Sequence, residues 1–177
     1  MSKFLILGCG PSASRAIDLE GYTVVGVNDS ARFHALDLHV ILDKAVRFSP
    51  RRLDVIENTF SACLYTQLEE KDIRTKAARR QMITLAKKRG WINDLGYNFS
   101  HHSTFVAAQI AVELGATSLT FVGVDIVNHP NFTKRDVVES RTHLEQMCAF
   151  YIGKGIKIYD MGEKLNIFTG IPGVEKI

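Results

Sequence analysis

The stretch Phe4-Leu5-Ile6-Leu7-Gly8-Cys9-Gly10-Pro11-Ser12 decides the fold. An unbroken apolar run that ends in glycines reads as a strand buried on both faces, the pattern of a parallel sheet. Residues 12–20 read as a short helix after the turn. A buried strand that passes through Gly-x-Gly into a helix has a physical use. Glycines let backbone approach an anion closely, and the first N–H groups of a helix have no internal partner and point at that anion. Ser12 and Ser14 can add hydroxyl donors.

Working outward, residues 22–27 form a second strand stopped by Asn28-Asp29-Ser30. Residues 39–42 form a third, closed by Asp43, and residues 61–65 a fourth, followed by Thr66. The segment 69–89 holds no Gly or Pro, and Ile73, Ala77, Met82 and Ala86 recur at helical spacing, which predicts a helix stopped at Gly90. Residues 103–114 are an alanine-rich helix, with Ser100 or Ser103 as its N-cap, and residues 118–124 are the most strand-like segment, breaking at Asp125. A long helix over 135–152 stops at Gly153 and Gly155. Residues 156–159 form a late strand and 165–168 a short edge strand. The tail, 170–177, carries Pro172 and Gly173 and is expected to be loose.

Strands that alternate with helices imply βαβ units. The expected fold is α/β and Rossmann-like: a mostly parallel sheet with helices on both faces, one domain over 1–177. In such sheets ligands sit at the carboxyl ends of the strands. Asn28, Asp29, Asp43, Thr66 and Asp125 all fall there.

A chain of 177 residues with 46% apolar content can bury a single core. Its net charge of +3 is too mild to make nucleic acid an expected partner. The basic residues between Arg74 and Arg89 spread around their predicted helix rather than along one stripe. Three widely spaced cysteines, Cys9, Cys63 and Cys148, fit neither a disulfide framework nor a metal site, so a reducing cytoplasm is the expected compartment. The apolar run near Met1 is too short for a signal segment, and no stretch approaches the roughly 18 apolar residues of a membrane span. The long helix over 135–152 is compatible with an oligomer.

Gly8-x-Gly10-x-x-Ala13 fits the dinucleotide fingerprint in its Gly/Ala form, and Asp29 stands about where a carboxylate would meet a ribose, which suggests an NAD(P)-dependent oxidoreductase. Pro11 counts against it, because it removes a donor inside the fingerprint. So does Asn28, an amide where the acidic residue often comes first. A tight strand-to-helix turn with no ligand is the plainer alternative.

The strings Ile6-Leu7-Gly8-Cys9-Gly10-Pro11-Ser12 and Val25-Gly26-Val27-Asn28-Asp29 resemble a known family, as does 103–125 with Leu114-Gly115-Ala116 and Gly123-Val124-Asp125. They look like the Rossmann-like domain of archaeal 6-hydroxymethylpterin diphosphokinases and their relatives, many of them phage-encoded. That domain is similar in turn to the family 42 bacterial sialyltransferases. The resemblance implies that Gly8, Gly10, Pro11, Ser12 and Asn28 line a nucleotide site, with Asp29, Ser103 and Asp125 beside it. The short chain departs from the transferases in leaving little room for their lid or helical segments.

On these residues the expected function is transfer of a glycosyl or phosphoryl group from a CMP-type nucleotide or ATP. Gly8, Gly10 and Ser12 would hold phosphate, and Asn28 and Asp29 would meet the ribose or base. Asp125 would bind Mg²⁺ together with substrate phosphates or serve the acceptor, because Mg²⁺ takes one or two carboxylates and keeps its waters. His101, at the start of a helix, and His129, in the turn after the Asp125 strand, are the candidate bases. Capping and turn roles are the plainer explanation of both. Cys9 could have a lowered pKa at a helix N-terminus, although a small side chain packed under the loop explains it better. The alternatives are a non-catalytic nucleotide-binding module and the NAD(P) enzyme.

Overall fold

In a computed structural model the structure describes residues 2–15, 17–66, 81–84, 102–126, 132–164 and 166–177. Among the described residues eight strands form one sheet: β1 (Lys3–Leu7), β2 (Tyr22–Val27), β3 (Leu38–Ile41), β4 (Cys63–Thr66), β5 (Gln81–Thr84), β6 (Ser118–Val122), β7 (Lys157–Asp160) and β8 (Val174–Lys176). Their spatial order is β5-β4-β3-β2-β1-β6-β7-β8. Every pairing is parallel, with Ile6 registered against Val25 on one side and Phe121 on the other. Among the described residues three α-helices accompany it: α1 (Pro50–Asn58), α2 (Ser103–Glu113) and α3 (Lys134–Gly153).

Strand side chains alternate between the two faces. Phe4, Ile6, Val25, Val27, Leu119 and Phe121 join the main core, which holds Phe105 and Ala108 of α2 and Leu144 and Tyr151 of α3. Leu5, Leu7, Val24 and Val122 face the other way, toward Ala13 and Leu36. On that second face Ile56 of α1 packs on Ile41. The domain is therefore α/β and Rossmann-like, with layers on both sides of a parallel sheet. Eight successive residues of α2, Thr104 to Ala111, are buried. Its small alanines let it lie against β1, β2 and β3.

Several local expectations give way. The described residues of the segment 12–20 form no α-helix, only a 3₁₀ turn over Pro11–Ser14. The Ser14 hydroxyl donates to the Pro11 carbonyl at 2.8 Å. Arg15 leaves the turn in extended geometry, its guanidinium bonded to the Met161 and Gly162 carbonyls. The helix expected over 69–89 is interrupted by β5, where Gln81–Thr84 pairs with Cys63–Thr66. Sheet pairing overrides helical spacing there. The rest of that span lies outside the described residues. No edge strand forms at 166–168; the edge strand is β8, in the tail expected to be loose. Lys176 anchors that tail, because its ammonium donates to the buried Asp160 carboxylate at 2.8 Å. Asp160 also accepts from the Gly162 N–H and the Asn166 amide. Helix α1 was not expected from hydrophobic spacing, although Ser49-Pro50 is a helix-start signal.

The connections from β1 to β4 lie on one face and α2 and α3 on the other, and the strand order reverses between β1 and β6. In open parallel sheets such a switch point, at the carboxyl ends of the strands, is where ligands bind.

Candidate functional site

The loop after β1 and the loop after β6 meet at this switch point. The Gly8 N–H donates to the Val122 carbonyl and the Gly10 N–H to the Gly123 carbonyl, both at 2.8 Å. A Cβ on Gly8 would collide with the Gly123 carbonyl, and one on Gly10 would stand 2.6 Å from Asp125 Oδ2. The glycines do allow close approach to an anion, and that anion belongs to the protein. The Ser12 N–H donates to Asp125 Oδ2 at 2.7 Å and its hydroxyl to Oδ1 at 2.9 Å. The same hydroxyl accepts from the Gly123 N–H at 2.8 Å.

This arrangement changes one expected role. Ser12 is buried, and both of its donors are engaged by Asp125. The 3₁₀ turn is also too short to offer the aligned N–H groups of a helix N-terminus. The loop therefore does not present Ser12 to a phosphate. Each Asp125 oxygen accepts one bond from Ser12. No group of three His, Cys, Asp or Glu side chains gathers among the described residues.

Asn28, directly after β2, is the one non-glycine residue at positive φ among the described residues, at 50°. Asparagine tolerates this left-handed region better than most residues. The position is pinned from both sides. The Asn28 N–H donates to the Val40 carbonyl at 3.0 Å, and its own carbonyl accepts from His39 Nε2 at 2.6 Å. The side-chain oxygen of Asn28 is buried and has no hydrogen-bond partner. An acceptor left in that state is costly, and Asp29 Oδ2 and Ser30 Oγ beside it share the condition.

Asp29 turns inward. It is fully buried, with Oδ1 accepting from Arg52 Nε at 2.8 Å and Oδ2 paired with Arg32 Nη1 at 3.1 Å. In this arrangement Asp29 is turned toward two guanidiniums rather than presented to a ribose. Burial alone would lower the Arg52 pKa, but hydrogen bonding and charge from Asp29 reverse this and raise it. Arg32 also donates to the Cys9 carbonyl at 3.1 Å. The Cys9 thiol lies under the loop and donates to the Val27 carbonyl. Burial, and after it the charge of Asp29, pushes that thiol up to about 12, so it is no nucleophile at neutral pH.

At the start of α2 the N-cap is His102, not Ser100 or Ser103, and Ser103 is the first helical residue. The Ser140 hydroxyl lies 2.7 Å from the Asp136 carbonyl and 2.6 Å from His102 Nε2. The imidazole stacks on Phe132 and meets Phe105 edge-on, each at 5.3 Å. His102 thus ties α2 to α3. His101 and His129 lie outside the described residues.

The switch point therefore gathers Gly8, Gly10, Pro11, Ser12, Asn28 and Asp125. Arg32 and Arg52 join them, and sequence reasoning passed over both. Neither carries a local signal, and α1 brings Arg52 to Asp29 from 23 positions away.

No protein-family model matches the chain, and no curated protein matches it in sequence. Solved structures do. The sialyltransferase CstII from Campylobacter jejuni, in complex with the substrate analogue CMP-3FNeuAc, superposes with a TM-score of 0.55 at 14% identity. The match covers 99% of this chain and 85% of that one.

The chain has the fold of the sialyltransferase CstII. A second structure of CstII, with a trisaccharide acceptor and CMP, gives a TM-score of 0.52 at 12% identity, over 98% of this chain and 86% of that one. The sialyltransferase side of the resemblance is thereby supported, and the pterin diphosphokinase side is not. No described helix is long and apolar enough to cross a membrane.

Proposed function

We propose that the chain is a glycosyltransferase-like protein that binds a CMP-type nucleotide, or a sugar activated by one, at the switch point between β1 and β6. The observation that carries this is Asn28: a left-handed residue at the end of β2, pinned through its backbone, whose buried amide oxygen lacks a donor. A ribose hydroxyl or a base amino group supplies that donor. The likeness of fold to a CMP-binding sialyltransferase directs the choice of nucleotide.

In this reading Gly8, Gly10 and Pro11 shape the loop, and Ser12 and Asp125 lock it to the β6 turn. Ser103 opens α2 on the same edge of the sheet, as a further donor beside the nucleotide. Transfer breaks the bond between the sugar anomeric carbon and the phosphate oxygen. The nucleotide leaves as the monophosphate, and an acceptor hydroxyl forms the new bond after losing its proton to a base. His129 and His101 are the candidates for that base, on sequence position alone. ATP has no comparable support. An NAD(P) enzyme is disfavoured because Asp29 does not present a carboxylate to a ribose.

The test incubates the purified chain with CMP-activated sialic acid and a panel of glycan acceptors and follows release of CMP. Acceptor-dependent release supports the transferase. Tight CMP binding with no release on any acceptor leaves a nucleotide-binding module. Neither binding nor release overturns both.

A further inference from the structure

Two guanidiniums converge on one buried carboxylate beside the loop after β1. Arg52 places Nε and Nη2 on Asp29 Oδ1 at 2.8 and 2.6 Å, and Arg32 places Nη1 near Oδ2 at 3.1 Å. Arg32 Nη2 reaches the Cys9 carbonyl at 3.1 Å, so the pair is tied directly to the loop. Each guanidinium also lies against an aromatic ring, Arg32 at 4.5 Å from the centroid of Phe33 and Arg52 at 5.1 Å from that of Phe48. The cluster carries two positive charges and one negative.

A fully buried carboxylate is an expensive way to gain stability, since apolar packing of the same volume commonly does as well. What it gains here is fixed geometry: two long side chains held in one orientation without a ligand. The Arg32 and Arg52 side chains remain 42% and 36% exposed, while Asp29 is at 0%. Arginine offers five N–H donors in a planar fork, and the contacts above leave several of them on the open side. The cluster therefore presents net positive charge and directed donors to solvent beside the loop after β1. Meanwhile the Ser12 donors are already engaged by Asp125. An anion arriving at this loop finds its fixed cations at Arg32 and Arg52.

We propose that Arg32 and Arg52, oriented by Asp29, form an anion subsite that receives a phosphoryl oxygen of the bound ligand. The subsite rests on the proposed nucleotide site for its place in function, but not for its existence.

Calorimetric titration of CMP, cytidine and inorganic pyrophosphate into wild type, Arg32→Ala, Arg32→Lys and Arg52→Gln tests it, with thermal melts confirming that each variant folds. Wild type should bind CMP more tightly than cytidine. Arg32→Ala should weaken CMP about tenfold, with cytidine unchanged. Arg32→Lys should recover only part of the loss, because an ammonium lacks the fork. CMP affinity unchanged in both Arg32→Ala and Arg52→Gln would overturn the subsite and leave the nucleotide site standing. Equal weakening of CMP and cytidine would also overturn it, by assigning the cluster to loop structure. Pyrophosphate binding that depends on Arg32, with no binding of CMP or cytidine, would support the subsite and overturn the nucleotide reading. No binding of any probe to wild type would overturn both. A variant that fails to fold is replaced by its milder partner, Arg32→Lys or Arg52→Gln, for the same comparison.

Discussion

Ser12 and Asp125, 113 positions apart in sequence, are joined by two hydrogen bonds from one residue to one carboxylate. The pair closes the loop after β1 onto the turn after β6 and holds together the two sides of the switch point. Replacing Asp125 with Ala leaves the buried Ser12 N–H and hydroxyl without acceptors. The expected loss of stability is about 2–4 kcal/mol in urea denaturation. Asp125→Asn should cost less, since an amide oxygen can still accept from the Ser12 N–H. Equal stability of Asp125→Ala and wild type would contradict the latch.

The glycines of the loop make a separate prediction. Gly8→Ala drives a methyl group into the Gly123 carbonyl, which is backbone and cannot swing aside. A loss of roughly 2–4 kcal/mol, or failure to fold, is expected. At Gly153, the end of α3, an added methyl group would meet nothing within 4 Å. Gly153→Ala should be neutral or stabilising by up to about 1 kcal/mol. The contrast is read from two denaturation curves.

The thiols give a pH prediction. Burial raises Cys9 and Cys148 from 9.0 to about 12. In the unfolded chain both ionise near the lower value, so between pH 9 and 12 the folded state holds more protons. Stability from these groups is intact below pH 9 and declines as pH rises through that window. At pH 7.5 both thiols of the folded chain should resist a thiol-alkylating reagent and react readily in denaturant. Peptide mapping by mass spectrometry separates them from Cys63. Rapid labelling of Cys9 in the native chain would contradict its placement under the loop.

Much of the frame was legible in sequence because it depends on local pattern. Phe4–Leu7 announces a buried strand, and residues 22–27 and 118–122 do the same, so the parallel sheet follows, while the strand order that sets the switch point does not. Asn28 and Asp125 were legible as polar stops at strand ends. What they touch was not. Whether Asp29 meets a ribose or two arginines depends on where Arg32 and Arg52 arrive, and α1 decides that for Arg52. The misread helix at 12–20 has a similar cause: Arg15 is drawn to the Met161 and Gly162 carbonyls far along the chain. The tail was judged by Pro172 and Gly173, while its order comes from Lys176 on Asp160. Pairings of this kind lie between distant residues, and no window of sequence contains them.

Asn28 bears most directly on the nucleotide site, and Asn28→Gly isolates its side chain. Glycine adopts φ of 50° without strain, so backbone and stability should be kept within about 1 kcal/mol. The decisive measurement is the Kd of CMP for wild type and Asn28→Gly by isothermal titration calorimetry. Measurable binding to wild type, weakened about tenfold or more in Asn28→Gly, is the expected result. Equal affinity in the two proteins, or no CMP binding to wild type, would contradict a nucleotide site at the end of β2.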